Sequence, residues 1–448
     1  CALLGDRFLK CGNGIFGLGW QLALPAITRK TEKGLPRYQD IKSQDRESQD
    51  KESRNGESES DIFILSGAED LVPVLASTQD CAPPVATSIR CIDDQYYEIR
   101  RYRPCVESLF ARIECWRNLA DETDAFWRSI SRDNITTWYG RTRASRIFDP
   151  ADPRPIFSWL ICESYDDKGN VIVYRYKAED SAALDTSRVS ERNRTDLSRS
   201  ANRYPKHICY GNRTPYFPVL SADQPFPAPV DDWLFEVVFD YGEHAGDVPL
   251  PISLSPWTLR NDPFSSYRAG FEVRTYRLCQ RVLMFHHFPD EPEVGADCLV
   301  RSTDFTYAHE QEPDHARNPI FSQLMAVAHR GYKRSDGGYL MRAMPALEFT
   351  YSPVRICPEV REVDIENLPY GSDGANYRWV DLDGEGLPGI LTEQGEQWFY
   401  KHNLSPGEDD STLRFAPMAL VARRPSLAAL TAGRQQLLDL GGDGQLDL

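Results

Sequence analysis

The chain has 448 residues, of which 41% are hydrophobic and 26% charged, and its formal net charge is −16. This acidic balance argues against a nucleic-acid binder, because phosphate binding needs clustered cations. The 20 Phe, 21 Tyr and 9 Trp argue against a wholly disordered chain. Apolar stretches such as 233–239 are short and broken by charge, so no transmembrane segment is expected.

Short β segments separated by turns dominate the chain. Alternating or β-branched runs predict strands at 97–103, 109–115, 125–131, 135–139, 156–163, 171–177, 233–241, 271–279 and 299–307. Many of the 29 Gly and 31 Pro lie between these runs. Because helical periodicity is nearly absent, the sequence predicts an all-β fold.

Two hairpins can be predicted from their turns. The run 156–163 leads through 166–170 into 171–177, and Gly169 and Asn170 tolerate the positive φ that a tight turn needs. Tyr332 leads through 335–338 into Tyr339 in the same way.

Two charged segments lack a large apolar surface. Residues 40–61 hold eight acids and four bases, and residues 178–203 hold five acids, five bases and five Ser. Burying so little apolar surface would not offset the entropy of ordering them. We therefore expect both segments to be mobile surface loops.

A shift in composition near Pro353 predicts a domain boundary. Residues 354–448 hold 16 acids and 8 bases, a net charge of −8, which is half of the total in about a fifth of the chain. We expect a β-sheet domain over 1–352 and a second, incomplete domain over 354–448. The sequence begins at Cys1 and stops within an Asp-Gly-rich motif, so it is expected to be a piece of a longer protein.

An internal repeat in the acidic region indicates propeller blades. Residues 379–390 and 437–448 resemble each other, and their aspartates Asp381 and Asp439 lie 58 positions apart. Asp439, Asp443 and Asp447 lie around glycines and resemble the calcium loop of FG-GAP (integrin-type) propellers. These carboxylates are calcium candidates, but Asp side chains also close such turns by accepting hydrogen bonds from backbone amides.

The remaining motifs favour structural roles. The letters GNGIFG at 12–17 match a dinucleotide fingerprint, but Gly19 and Pro25 follow where a helix is needed, so a tight turn with Trp20 packed inside is the better interpretation. Glu57 and Glu59 form a Glu-x-Glu pair within the charged loop, without the Ser-Thr-Ser strand of an ADP-ribosyltransferase. His286 and His287 are adjacent in a predicted strand, so their rings should point to opposite faces, which argues against a shared metal and favours a packing role. No catalytic residue, cofactor or structural metal is predicted, apart from the calcium candidates.

Several longer strings carry a family resemblance. They resemble the SpvB domain over about residues 1–352: GNGIFGLGW (12–20), LPAITRK (24–30), FILSGAEDLVP (63–73), RDN (132–134), DPADP (149–153) and DPFSSYRAGFEVRT (262–275). The acidic remainder resembles the middle region of the B component of Tc (toxin complex) insecticidal toxins, where a β-propeller begins.

The resemblance implies a fold and a role. It implies a large curved β-sheet shell segment of the Rhs/YD type, followed by the first blade or blades of a β-propeller. In such toxins the B and C components enclose an unfolded cytotoxic segment, and the propeller docks on the pore-forming, pentameric A component. The implied partners are thus a Rhs-type C component and an A-component translocator, with export from the cytoplasm as part of a secreted complex.

Two alternatives remain open at this point. The chain could be the N-terminal secretion module of an ADP-ribosyltransferase toxin, because SpvB-domain proteins include such enzymes. It could also be an adhesin with an integrin-like propeller, in which case the calcium candidates would be occupied.

Overall fold

The computed structural model describes residues 12–32, 34–38, 61–67, 69–75, 85–106, 110–311, 321–335, 337–351, 377–384, 386–395, 397–404, 414–421 and 437–438. Within these ranges the regular structure is almost entirely β-strand. The two α-helices of this part of the chain, α1 (Asp196–Arg199) and α2 (Ala308–Gln311), have 4 residues each. The predicted all-β fold is confirmed.

The strands of the first half are β1 (Asn13–Gly14), β2 (Gly17–Leu18), β3 (Ala26–Arg29), β4 (Phe63–Leu65), β5 (Glu69–Pro73), β6 (Thr87–Ile92), β7 (Gln95–Pro104), β8 (Arg112–Asn118), β9 (Ala125–Ile130), β10 (Thr136–Tyr139), β11 (Arg146–Phe148), β12 (Ile156–Tyr165) and β13 (Val171–Ala178). Those of the second half are β14 (Arg203–Asn212), β15 (Trp233–Asp240), β16 (Phe264–Ser266), β17 (Val273–Thr275), β18 (Arg281–Phe288), β19 (Gly295–Tyr307), β20 (Leu324–Ser335), β21 (Gly338–Ala343), β22 (Leu347–Glu348), β23 (Tyr377–Val380), β24 (Gly389–Gln394), β25 (Gln397–Lys401) and β26 (Ala419–Leu420).

One group of strands forms a closed ring of antiparallel neighbours. The order around the ring is β3, β4, β5, β7, β8, β9, β10 and β12. The long strand β12 closes it, because residues 158–160 pair with β3 and residues 161–165 pair with β10. Closure removes the unpaired edges that otherwise invite aggregation.

The ring has an apolar core inside and a second aromatic layer outside. Side chains alternate along a strand, so the opposed residues Cys115 and Trp127 face inward, whereas their neighbours Trp116 and Phe126 face outward. The inner cluster consists of Ile27, Phe63, Leu65, Leu71, Ile113, Cys115, Trp127, Tyr139, Phe148, Ile156, Trp159 and Ile161. The outer layer is covered by Leu220 and Phe226.

Beyond the ring the sheet continues as an antiparallel meander through β13, β14, β15, β18, β19, β20 and β21. Both predicted hairpins are confirmed. In the β12–β13 turn Gly169 has φ +89°, and Asp166 Oδ1 accepts the backbone N–H groups of Lys168 and Asn170 at 2.9 Å each. The β20–β21 hairpin pairs Ser335 with Gly338.

The predicted strand over 271–279 is wrong in its length, since only β17 (Val273–Thr275) forms there. The backbone beyond β17 finds other partners. The Tyr276 N–H donates to the Tyr204 hydroxyl at 2.9 Å, and the Cys279 N–H donates to the Ile15 carbonyl at 2.8 Å. Buried polar backbone is thus satisfied without a neighbouring strand.

Contacts between Cα atoms divide the chain into two compact units, one of residues 1–30 with 36–350 and one of residues 31–35 with 351–448. The described part of the second unit contains a four-stranded antiparallel sheet in the order β23, β24, β25, β26. Ile390 and Leu391 are adjacent in β24 and both have 0% exposure. Since neighbours in a strand face opposite sides, this small sheet is covered on both faces.

Candidate functional site

The predicted calcium ligands Asp439, Asp443 and Asp447 lie outside the described residues, as do Glu57 and Glu59. The related segment that begins at Asp381 lies largely within the described residues. Its Asp381 Oδ2 accepts the Gly386 N–H at 2.6 Å, and Asp383 Oδ2 lies 2.8 Å from His402 Nδ1. Both carboxylates therefore take part in protein contacts that close the turn.

The glycine-rich string at 12–17 forms the tight hairpin of β1 and β2, in which Asn13 pairs with Leu18. The structure has no helix within residues 12–32, so the geometry of a dinucleotide-binding turn is absent from this described segment. Gly17 has φ +89°, and a Cβ there would collide with the Ser322 carbonyl. The glycines thus permit close packing of the backbone.

Two of the strings that carry the family resemblance meet at one buried junction. Arg260 Nη2 donates to Asn13 Oδ1 at 2.7 Å, and Arg260 Nη1 donates to the Gly14 carbonyl at 2.8 Å. Asp262 accepts hydrogen bonds from Asn13 Nδ2 at 2.8 Å and from the Ser322 N–H at 2.6 Å. Burial opposes ionisation of Asp262, but the Arg260 guanidinium outweighs it and holds the pKa of this carboxyl below its usual range.

The charged segment 178–203, expected to be a mobile loop without buried contacts, is instead tied to residues 272–277 through buried ion pairs. Arg277 has 0% exposure; its Nε donates to Glu179 Oε2 at 2.9 Å and its guanidinium lies 4.3 Å from the Trp257 ring centroid. Buried ionic groups are tolerated when they are paired and hydrogen-bonded. The expectation of a solvated loop is therefore wrong for this segment.

A second ion-pair cluster holds the same segment further along. Glu191 is 3% exposed, and its carboxylate lies 3.1 Å from Arg199 Nε and accepts the Tyr276 hydroxyl at 2.7 Å. Arg194 Nη2 donates to Glu272 at 2.7 Å. The one sequence signal of this pairing is the equal number of acids and bases in 178–203. Charge composition alone does not reveal which residues these charged side chains pair with.

Asp240, Glu243 and His244 bring three potential metal ligands together in a buried loop. The Lys206 ammonium already occupies this cluster, at 2.5 Å from Glu243 Oε1, 2.7 Å from His244 Nε2 and 2.9 Å from the Phe239 carbonyl. Burial and the Lys206 charge lower the pKa of His244, so its neutral ring accepts from Lys206. The cation that neutralises this loop is therefore a side chain of the protein, together with Arg281 on Asp240.

A third polar cluster crosses four adjacent strands. Glu236 accepts from His207 Nδ1 at 2.7 Å and lies 3.3 Å from His287 Nε2, while His287 Nδ1 lies 3.1 Å from Asp297. Burial opposes ionisation of Glu236, but the hydrogen bonds from the two histidines outweigh it and lower its pKa to about 2. The hydrogen bond to Glu236 raises the pKa of His287.

The adjacent histidines behave as two separate groups. His286 packs edge-on against Phe235, with ring centroids 4.9 Å apart, whereas His287 pairs with Glu236 and Asp297. Sequence reasoning predicted their separation but missed the ionic role of His287, because its partners lie on other strands.

The fold is all-β, and two of the strings that carry the family resemblance form a buried structural junction. Residues 9–288 match the family described as Salmonella virulence plasmid 65kDa B protein, SpvB. The chain therefore belongs to the SpvB family. It is 37% identical over 333 residues to Mono(ADP-ribosyl)transferase SpvB of Salmonella typhimurium (strain 14028s / SGSC 2262) and to that of Salmonella dublin, which is 73% of this chain and 50% of each relative. The chain thus spans about half the length of the curated relatives it matches.

Solved structures show two kinds of similarity. The N-terminal domain of effector protein SpvB from Salmonella typhimurium strain LT2 matches with TM-score 0.58 and 37% identity, over 72% of this chain and 91% of that domain. TcdB2-TccC3 matches with TM-score 0.69 and 28% identity, over 98% of this chain and 19% of that one. The Photorhabdus luminescens Tc holotoxin pore matches with TM-score 0.68 and 28% identity, over 97% of this chain and 18% of that one. The predicted resemblance to an SpvB-domain protein of the Tc B-component type is confirmed.

Among the described residues, no helix has the length and apolar character needed to cross a membrane.

Proposed function

We propose that this chain is a non-catalytic structural component of a secreted toxin complex, in which it forms part of a β-shell around a toxin segment. The observation that carries the proposal is the similarity to TcdB2-TccC3, which extends over 98% of this chain. The similarity to the SpvB N-terminal domain covers 72%. A similarity that continues through the acidic second unit favours a toxin-complex assembly over the secretion module of a transferase.

The contacts within the first unit support a role in containment. The ring and meander bury aromatic side chains on both faces of the sheet, and charged groups such as Arg277 and Glu243 are buried with partners from distant parts of the chain. Such pairing fixes loops on the sheet and satisfies the hydrogen-bonding capacity of these charged groups. This is typical of a structural protein rather than of a catalytic site.

For the second unit we propose the start of a β-propeller over 354–448, which would dock on a pore-forming A component. A propeller blade is a four-stranded antiparallel sheet packed on both faces. The order β23 to β26 and the burial of both Ile390 and Leu391 support this assignment. By the same similarity, we propose a Rhs-type C component as the partner of the first unit, and export from the cytoplasm to the extracellular space with the complex.

The second candidate function is the N-terminal module of an ADP-ribosyltransferase toxin. It is favoured by the names of the relatives, which are mono(ADP-ribosyl)transferases at 37% identity. The gene sequence beyond Leu448 separates the two. Further Asp-Gly blades support the toxin-complex role, whereas a Pro-rich linker followed by Ser-Thr-Ser and Glu-x-Glu motifs supports the transferase.

Calcium binding by Asp439, Asp443 and Asp447 remains a proposal. If these carboxylates hold an ion, chelation by EDTA will lower the melting temperature of the segment from Val354 onward, and Asp443→Asn will remove that response. Indifference to chelator counts against the ion and against the integrin-like adhesin.

Assembly tests the main proposal. We expect the full-length protein, coexpressed with a Tc C component, to elute from a sizing column as one stable complex. The C component expressed with an unrelated β-sheet protein is the control. Separate elution of the two chains under all salt conditions would contradict the proposal.

A further inference from the structure

A cleft of about 240 Å³ opens at one end of the strand ring, between the β8–β9 turn and the β10–β11 connection. At roughly 30 Å³ per water molecule, such a volume accommodates a phosphate or a carboxylate group. Its lining includes three arginines, Arg141, Arg143 and Arg146, beside Phe148, together with the two acids Asp121 and Asp124.

Two of these arginines are neutralised by carboxylates of the protein. Arg146 Nη2 donates to Asp124 Oδ1 at 2.7 Å, and its Nη1 donates to the Thr123 carbonyl at 2.7 Å. Arg141 Nη2 donates to Glu163 Oε2 at 2.6 Å. The remaining acid of the lining, Asp121, accepts from the N–H and hydroxyl of Thr123 at 2.9 Å and 2.7 Å.

The third lining arginine, Arg143, and one arginine outside the lining, Arg203, have no carboxylate partner among the described residues. Arg143 and Arg203 both lie over the Phe148 ring, with guanidinium carbons 4.8 Å and 5.1 Å from its centroid. Within the part of the chain that the structure describes, the Nη1 group of Arg203 donates to the carbonyls of residues 200–202. Two positive charges are therefore held beside one aromatic ring with no carboxylate of the described ranges within ion-pair distance.

The side chains around the cleft carry unused hydrogen-bond donors as well as unpaired charge. The Nε–H groups of Arg141 and Arg203 are buried and have no acceptor among the described residues. Leaving a buried donor unpaired carries its desolvation penalty. Burial and the nearby Arg143 charge lower the pKa of Arg203 to about 10, which is the response of a cation that lacks an anion.

We propose that this cleft is a binding site for an oxyanion group, held by Arg143 and Arg203 above Phe148. Guanidinium groups match carboxylate and phosphate oxygens with paired hydrogen bonds. The oxyanion comes either from a free ion such as phosphate or from an acidic side chain of a bound polypeptide. The site lies within the first unit and does not depend on the proposed shell function.

The test is calorimetric titration of the purified chain at constant ionic strength, with inorganic phosphate as one probe and a triglutamate peptide as the other. We expect saturable binding of at least one probe. Arg143→Gln is expected to weaken it about ten-fold or more, as the loss of a charge-assisted hydrogen bond requires. Because Arg143 is exposed, this variant should remain folded, which circular dichroism can check.

Arg132→Gln is the matched control, because Arg132 is also an exposed arginine, with 74% side-chain exposure. It should leave the affinity unchanged. Binding of phosphate alone identifies a free ion as the ligand, and tighter binding of the peptide identifies an acidic side chain. The proposal is overturned if neither probe binds, or if the two variants lower the affinity equally, since that would indicate diffuse charge attraction.

Discussion

The strand ring and the region from Glu179 to Arg281 both bury apolar side chains and ion pairs, but their ion pairs join different parts of the chain. In the ring, Glu114 has 0% exposure and pairs with Arg128, its opposed residue on the neighbouring strand. The ring encloses an apolar cluster in which Ile27 and Trp127 have 0% exposure. In the second region Arg277 and Glu243 also have 0% exposure, and each pairs with a residue that lies farther away in the chain. The presence of buried charge alone therefore does not distinguish the two regions.

Apolar burial and ion pairing differ in how strictly they select one packed arrangement of the chain. Apolar burial contributes about 25 cal/mol per Å² and tolerates exchange of one hydrophobic residue for another. A buried ion pair gains little net stability, but the loss of one partner is costly. We infer that the ion pairs select one arrangement of segment 178–203 on the sheet, a hypothesis that the following substitutions test.

The largest effect is expected for Arg277→Ala, which leaves Glu179 buried without its main cation. The free energy of unfolding should fall by about 3–5 kcal/mol, measured by urea titration. Arg188→Ala is the control, since Arg188 is 67% exposed and pairs with Asp185 at 3.7 Å; such surface pairs contribute about 0–1 kcal/mol.

The double variant Glu179→Gln/Arg277→Met sharpens this prediction. It removes both charges and keeps an acceptor for the N–H groups of Asp180 and Ser181, which Glu179 Oε1 accepts at 3.2 and 2.9 Å. It should recover most of the stability lost in Arg277→Ala. A double variant as unstable as the single one would show that the ion pair itself stabilises the fold.

In the ring, Ile27→Ala should lower the free energy of unfolding by about 3 kcal/mol, because it leaves a cavity in an apolar core. Ile252→Ala is the matched control: Ile252 is 64% exposed, and the change should stay within about 0.5 kcal/mol. Equal effects in the two variants would contradict the assignment of the ring interior as the core.

Gly169 lies in the turn where the sheet leaves the ring, so it tests the junction between the two regions. Gly169→Ala places a Cβ at φ +89° and against Phe217, which should cost about 1–2 kcal/mol. Gly331→Ala meets no atom within 4 Å and should be nearly neutral. If Gly169→Ala leaves the free energy of unfolding unchanged, the turn can relax to accommodate the added Cβ.

The smallest effect concerns the cluster of Glu236 and His287, whose stability depends on pH. The pKa of His287 is raised above the ordinary 6.5, so its contribution is complete below that value and is lost as the pH rises through the raised pKa. The pKa of Glu236 is lowered from 4.5 to about 2, so its contribution is present above 4.5 and is lost only in strong acid. Both contributions are present between pH 4.5 and 6.5.

His287→Gln should therefore cost roughly 1 kcal/mol near pH 5.5 and less near pH 8.5, measured by urea titration at both values. The other titratable groups around this pair include His207, Cys209, Arg175, Asp231, His286 and Asp297. His329→Gln is the matched control, because His329 is an exposed histidine on β20 whose ring lies 3.1 Å from the Thr303 hydroxyl. Near pH 5.5 it should cost less than His287→Gln. A cost for His287→Gln that is independent of pH would refute the ionic role of this residue.

The sequence was sufficient for most of the strands and both predicted hairpins, because alternation and turn residues are local signals. The inward and outward positions around Cys115 and Trp116 follow the same period of two. The junction of Asn13 with Arg260 and the pair of Glu179 with Arg277 could not be predicted, since each joins residues far apart in the chain. The charge pattern of 178–203 is compatible with solvent or with buried partners, and only tertiary structure decides between them.

Protection of an enclosed chain tests the proposed shell function most directly. Full-length protein coexpressed with a C component should shield the C-terminal toxin segment, so that added protease digests it far more slowly than the same segment produced alone. Heating the complex past its melting temperature should remove that protection. Digestion of the segment at the same rate in the intact complex and alone would contradict a containing shell.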